Sequence, residues 1–122
     1  MRKRILIVDD DVCATHVLRT KLEQAGDFEV REENTSTRAL PVALAFRPDF
    51  IVLDICMPQL DGGEVAAQFR AEPSLCKTPI VFATSIVLEQ EIEEASQLRG
   101  RFHFLAKPVN LPKLLRLISS SA

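Results

Sequence analysis

Arg4-Ile5-Leu6-Ile7-Val8-Asp9-Asp10-Asp11 passes from four consecutive apolar residues straight into three carboxylates. A short continuous apolar run, without polar alternation, suits a strand covered on both faces of a parallel sheet. Phe50-Ile51-Val52-Leu53-Asp54 repeats that design, again closed by an aspartate, and Arg47-Pro48-Asp49 marks the loop before it. Pro79-Ile80-Val81-Phe82-Ala83-Thr84 ends in a hydroxyl, and a further strand from about Phe102 to Leu105 stops at Lys107-Pro108. Phe28 to Arg31 reads as a weaker strand.

The segments between these runs carry helical spacing. Ala14, Val17, Leu18, Leu22 and Ala25 form one apolar stripe, with Gly26 expected to end it as a left-handed stop. Thr35 or Ser36 is placed to cap a second helix through Ala39, Leu40, Ala43 and Leu44, in which Pro41 predicts a late start or a kink. Gly62-Gly63 opens a third helix through Val65, Ala66 and Phe69, ended by Glu72-Pro73. Glu89 to Leu98 reads as a short acidic helix with a solvated face, ended near Gly100. Asn110 caps the last one, which aligns Leu111, Leu114, Leu115 and Ile118 and tolerates Pro112 in its first turn. Ser119 to Ala122 is expected to be a polar tail or the start of a linker. Five strands alternating with five helices specify one α/β domain over residues 1–122: three layers, α/β/α, around a doubly wound, mostly parallel sheet.

Composition narrows the function classes. Fifteen basic against 17 acidic residues leave a net charge of −2, so no domain-wide positive field draws the chain to nucleic acid or an anionic membrane. Ile5–Val8 and Phe50–Leu53 fall far short of the roughly 20 residues that span a bilayer. Asp9 to Asp11 interrupt any signal-peptide pattern, and the expected location is the cytoplasm. Cys13, Cys56 and Cys76 form no C-x-x-C pair, so they are expected to serve as small apolar filler. Neither His16, on the first helix, nor His103, which strand alternation turns away from Phe104, reads as a metal ligand.

In such folds the ligand sits at the carboxyl ends of the strands. Those ends carry Asp9-Asp10-Asp11, Asp54, Thr84 and Lys107. Acids alone can follow strands as turn formers, but carboxylates, a hydroxyl and an ammonium together at four strand ends need a common cause. Clustered carboxylates repel unless a cation or a proton relieves them. Lys107 supplies one charge, and a few carboxylates plus waters and a phosphoryl oxygen suit Mg²⁺. With a metal, a lysine and a hydroxyl in reach, the natural chemistry of Asp54 is attack on phosphorus to form an acyl phosphate. Neither G-x-x-x-x-G-K-[ST] nor G-x-G-x-x-G is present, so the phosphoryl group must be delivered by something other than a cradled nucleotide.

Along its whole length the chain resembles the receiver domain of two-component response regulators. The likeness is carried by Ile5-Leu-Ile-Val-Asp-Asp10, Ile51-Val-Leu-Asp-Ile-Cys-Met-Pro-Gln-Leu-Asp-Gly62, Pro79-Ile-Val-Phe-Ala-Thr84 and Phe104-Leu-Ala-Lys-Pro108. It implies a flavodoxin-like fold and a phospho-accepting switch rather than an enzyme acting on other molecules. Asp54 would accept a phosphoryl group from a phosphohistidine of a sensor histidine kinase or phosphotransfer protein, with Mg²⁺ present. It further implies that Asp10 binds the metal directly, Asp9 mainly through water, and Cys56 by its backbone carbonyl; Asp11 is left as a charge at a helix start. Thr84 would be the hydroxyl that moves to the phosphoryl group and Phe104 the aromatic that turns inward behind it, passing the state to an output domain or protein. Where relatives often have Tyr, Phe104 lacks the hydroxyl. Lys107-Pro108 falls where the family has a cis peptide, and Cys56 and Ile86 fall on the two positions that flank the approach of hydrolytic water.

Two other readings stand beside this one. An aspartate-nucleophile phosphohydrolase would need a second carboxylate two residues after Asp54, where Cys56 stands. A receiver acting by binding alone would have lost an acid, the threonine or the lysine, and all are present.

Overall fold

The computed structural model describes residues 2–84 and 102–120, and the expected helix at 89–98 and Ile86 lie outside them. In chain order the elements are β1 (Lys3–Val8), α1 (Val12–Ala25), β2 (Phe28–Glu33), a 3-10 turn (Ser36–Arg38), α2 (Ala39–Phe46), β3 (Phe50–Leu53), α3 (Gly62–Ala71), β4 (Ile80–Thr84), β5 (Phe102–Ala106) and α4 (Leu111–Ser120). The strands form one sheet in the order β2-β1-β3-β4-β5, and every pairing is parallel.

The unalternated apolar runs divide by residue parity between two cores. Leu6, Val8, Ile51, Leu53, Ile80 and Phe82 face α2 and α3, where they pack with Ala43, Phe46, Ala66 and Phe69. Ile5, Ile7, Phe50, Val52, Val81 and Ala83 face the other way, onto Leu18 and Leu22 of α1 and Leu114 and Ile118 of α4. A strand whose two faces are both covered by helices gains from an apolar residue at every position. Complete burial of a side chain such as Leu22 or Phe69 contributes about 2 kcal/mol.

Several local expectations need correction. Gly26 ends α1 in extended backbone, φ −170° and ψ −177°, rather than left-handed. The chain enters β2 two residues later, and a Cβ on Gly26 would crowd the Phe28 ring at 2.9 Å. Neither Thr35 nor Ser36 caps a helix: Thr35 makes no side-chain cap bond, and the Ser36 hydroxyl turns to the loop after β3 instead. The late start foreseen at Pro41 is present, because α2 begins at Ala39 and Pro41 lies in its first turn, where N–H groups have no helical partner. Ser119 and Ser120 continue α4 rather than forming a tail, and the Ser120 hydroxyl donates to the Leu117 carbonyl. The cysteines are not core filler. Cys13 is exposed in the first turn of α1, Cys56 is exposed in the loop after β3, and Cys76 is half-buried with its thiol against the Pro73 carbonyl.

Candidate functional site

Chain direction reverses across the sheet at the β1–β3 boundary, since β1 leads outward to β2 and β3 leads the opposite way to β4. That switch point is where an open parallel sheet leaves a crevice at its carboxyl edge. Val8 pairs with Leu53, and the next rung brings Asp9 beside Asp54. The Asp54 amide donates to the Val8 carbonyl at 2.9 Å, and the Asp9 amide to the Glu33 carbonyl at 3.1 Å. Backbone ladders therefore hold both aspartates, each only 6% exposed.

Asp10 is exposed, and a carboxylate oxygen from each of Asp9, Asp10 and Asp54 lies within 4.8 Å of the other two. A carboxylate pair at that range repels by roughly 3 kcal/mol at an effective dielectric of about 20. Lys107, just past β5, relieves part of this: its Nζ donates to Asp9 Oδ2 and stands 3.4 Å from Asp54 Oδ1. The other Asp9 oxygen accepts from the Asp11 amide at 3.0 Å. Burial by itself lowers the Lys107 pKa, but the hydrogen bond and charge of Asp9, followed by Asp54, outweigh it and hold the ammonium above its ordinary value. Burial, then the Asp9 charge, push the Asp54 carboxyl from 3.8 up to about 6 against the opposing pull of Lys107.

Three carboxylates against one ammonium leave an excess of negative charge on hard oxygen donors, two of them in a buried floor. That donor set fits Mg²⁺, which takes carboxylate oxygens while keeping part of its water shell.

Neighbouring residues fix the backbone around this arrangement. Asp11 is the N-cap of α1, accepting from the Ala14 amide, so it serves as the expected helix-start charge. Asp61 caps α3 in a reciprocal box with Glu64. Gly62 is required by close approach: a Cβ there would collide with the Asp54 carbonyl oxygen and lie 2.8 Å from the Ile55 Cα. The Gly62 amide donates to the Ile55 carbonyl at 2.7 Å, which presses the start of α3 against the end of β3. Ser36 closes the same loop from the far side, donating to the Pro58 carbonyl and accepting from the Leu60 amide.

Four of the residues read from the sequence thus meet: Asp9, Asp10, Asp54 and Lys107. Thr84 closes β4 opposite Ala106 in register. Phe104 stands apart from the carboxylates, on the α2–α3 face, where its ring stacks on Phe82 with centroids 5.3 Å apart. The Lys107–Pro108 peptide is cis. His103 is exposed, and His16 faces Glu32 at 3.9 Å, so the histidines stay outside the cluster. Sequence reasoning missed Asn34 and took Ser36 for a helix cap, because the partners of both lie more than 15 residues away along the chain.

The response regulator receiver domain model matches residues 5–119. The polar-differentiation response regulator DivK of Brucella anthropi is 28% identical over 120 residues, 98% of this chain and 96% of DivK. Among solved structures, the chemotaxis protein CheY4 of Vibrio cholerae superposes with a TM-score of 0.91 at 26% identity, covering 100% of both chains. The receiver domain of sensor histidine kinase PA1611 from Pseudomonas aeruginosa, described with a magnesium ion coordinated in its active-site cleft, gives 0.85 at 27% identity over 98% of this chain and 97% of that one. With this match along nearly its entire length, on a sheet whose carboxyl edge gathers three aspartates and a lysine, the chain belongs to the response regulator receiver domain family and is a receiver of two-component phosphorelay signalling.

Proposed function

We propose that Asp54 is the phospho-acceptor of this receiver domain, loaded by a phosphohistidine on a sensor kinase or phosphotransfer protein and working in the cytoplasm. The observation that carries this reading is the Asp54 carboxylate held at the floor of the crevice with Asp9, Asp10 and Lys107 around it. One Asp54 oxygen attacks phosphorus, the P–N bond to the donor imidazole breaks, and that nitrogen keeps the electron pair and takes up a proton. Lys107 and the Thr84 hydroxyl stabilise the charge spreading over the phosphoryl oxygens. Asp9, Asp10, Asp54 and the Cys56 carbonyl would hold Mg²⁺, which neutralises charge on the transferring group. Phe104 passes the state to an output partner by repacking against Phe82. The only chemistry is gain and loss of this one group. Among the described residues no helix is long and apolar enough to cross a membrane.

Incubation with Mg²⁺ and a small phosphodonor should add one phosphoryl group by intact mass, and no gain with several donors would refute the reading. Metal-free protein should bind Mg²⁺ weakly, because the carboxylates form an incomplete octahedron. Asp10→Ala is expected to weaken that binding about tenfold, read from amide shifts in a titration, and unchanged affinity would remove Asp10 from the metal set.

The acyl phosphate should be long-lived. Cys56 and Ile86 offer no carboxylate or amide to orient an attacking water, and 1.4 kcal/mol of lost positioning slows hydrolysis about tenfold. Cys56→Asn and Ile86→Glu should each speed the loss of phosphate at saturating Mg²⁺. If neither does, these positions do not control water access.

A further inference from the structure

Asn34 follows β2 directly and is half-buried beside the loop that joins β1 to α1. Its amide group spends both hydrogens on that loop: Nδ2 donates to the Asp9 carbonyl at 2.8 Å and to the Thr15 hydroxyl oxygen at 2.9 Å. Thr15 is fully buried in the first turn of α1, and its hydroxyl proton goes to the Val12 carbonyl at 3.0 Å, so its oxygen is free to accept. One side chain thereby ties the end of β1 to the beginning of α1 across Asp9-Asp10-Asp11.

The geometry has a consequence for Asp10. The Asp9 carbonyl and the Asp10 amide share one planar peptide unit, so a donor that fixes the carbonyl also fixes the direction in which the chain leaves toward Asp10. Asp9 is anchored independently, by its amide to Glu33 and by its carboxylate to Lys107 and the Asp11 amide. For the exposed Asp10 no side-chain hydrogen bond is seen among the described residues, so its placement depends on the two peptides that flank it, the following one held by the Asp11 amide on the Asp9 carboxylate and the preceding one by Asn34. Groups that orient a metal-binding carboxylate affect metal affinity although they never touch the ion.

We propose that Asn34 is a positioning residue that aims the Asp10 carboxylate at the divalent cation by clamping the Asp9–Asp10 peptide to α1. This inference rests on the assignment of Asp9, Asp10 and Asp54 to Mg²⁺. Asn34→Leu keeps the approximate volume and removes both donors. In the metal-free protein the Asp10 and Asp11 amide resonances should shift, with Asp11 exchanging faster with solvent. In a Mg²⁺ titration followed by amide shifts, at a temperature where the variant is fully folded, affinity should fall about tenfold. A purely structural role would lower the melting temperature and leave the affinity of the folded protein unchanged, which would overturn the proposal. The Asp10→Ala titration separates the two failures: if Asp10→Ala weakens Mg²⁺ binding and Asn34→Leu does not, the clamp is wrong and the metal site stands. If neither weakens it, both are wrong. Should Asn34→Leu not fold, Thr15→Val removes the far anchor alone. It is expected to weaken Mg²⁺ binding by a smaller factor, and unchanged affinity there overturns the clamp as well.

Discussion

Asp54→Asn takes up no acyl phosphate under conditions that phosphorylate the parent to completion. The substitution preserves shape and removes the nucleophile, because an amide oxygen carries no charge to donate to phosphorus. The neighbouring acids are poor substitutes: both Asp9 oxygens are engaged, by Lys107 and by the Asp11 amide, and Asp10 is exposed at the rim of the crevice. Intact mass after exposure to Mg²⁺ and a small phosphodonor is the measurement, with base lability marking an acyl phosphate. A full equivalent of base-labile phosphate on the variant would place the acceptor elsewhere.

The same substitution is expected to stabilise the metal-free protein, by an amount that depends on pH. The folded Asp54 carboxyl titrates at about 6 against an ordinary value of 3.8, so the native state holds its proton more tightly than the unfolded chain does. Below 3.8 the carboxyl is protonated in both states and has no effect. Between 3.8 and 6 folding becomes progressively less favourable as pH rises, and above 6 the penalty is complete at about 3 kcal/mol. The sign is opposite to that of a salt-bridged carboxylate with a depressed pKa. Asp54→Asn should melt roughly 10 °C above the parent at pH 7.5 without Mg²⁺, the gap closing as pH falls toward 4. The chain has neither Trp nor Tyr, so circular dichroism is the appropriate probe. Parallel melting curves for the two proteins at every pH would show that burial and Asp9 do not load Asp54 in this way. The strain has a functional sense, since a carboxylate crowded by Asp9 and cut off from water gains from binding a cation.

The character of each strand was legible because a parallel sheet covered on both sides demands apolar residues at consecutive positions, as in Ile5 to Val8 and Phe50 to Leu53. The acids and the lysine were legible for a related reason: a polar residue directly after such a run falls at the strand's carboxyl end, whatever the rest of the chain does. Asp9, Asp54 and Lys107 therefore met where expected.

Side-chain partners were another matter. Ser36 looks like a helix cap in the sequence, yet its hydroxyl bonds Pro58 and Leu60, because the loop after β3 crosses above the turn that begins at Ser36. Gly26 looks like a left-handed stop, yet its backbone is extended and its lack of a Cβ makes room for the Phe28 ring. Gly62 marked a helix start, but the need for glycine there comes from the Asp54 carbonyl beneath it. Periodicity and residue type are properties of a local segment, and they determined the strands, most helices and the edge on which the chemistry lies. Tertiary structure alone decided which carboxylate Lys107 bonds, how far burial raises the Asp54 pKa, and that Asn34 reaches back to Asp9, because each depends on atoms brought together from segments far apart in the chain.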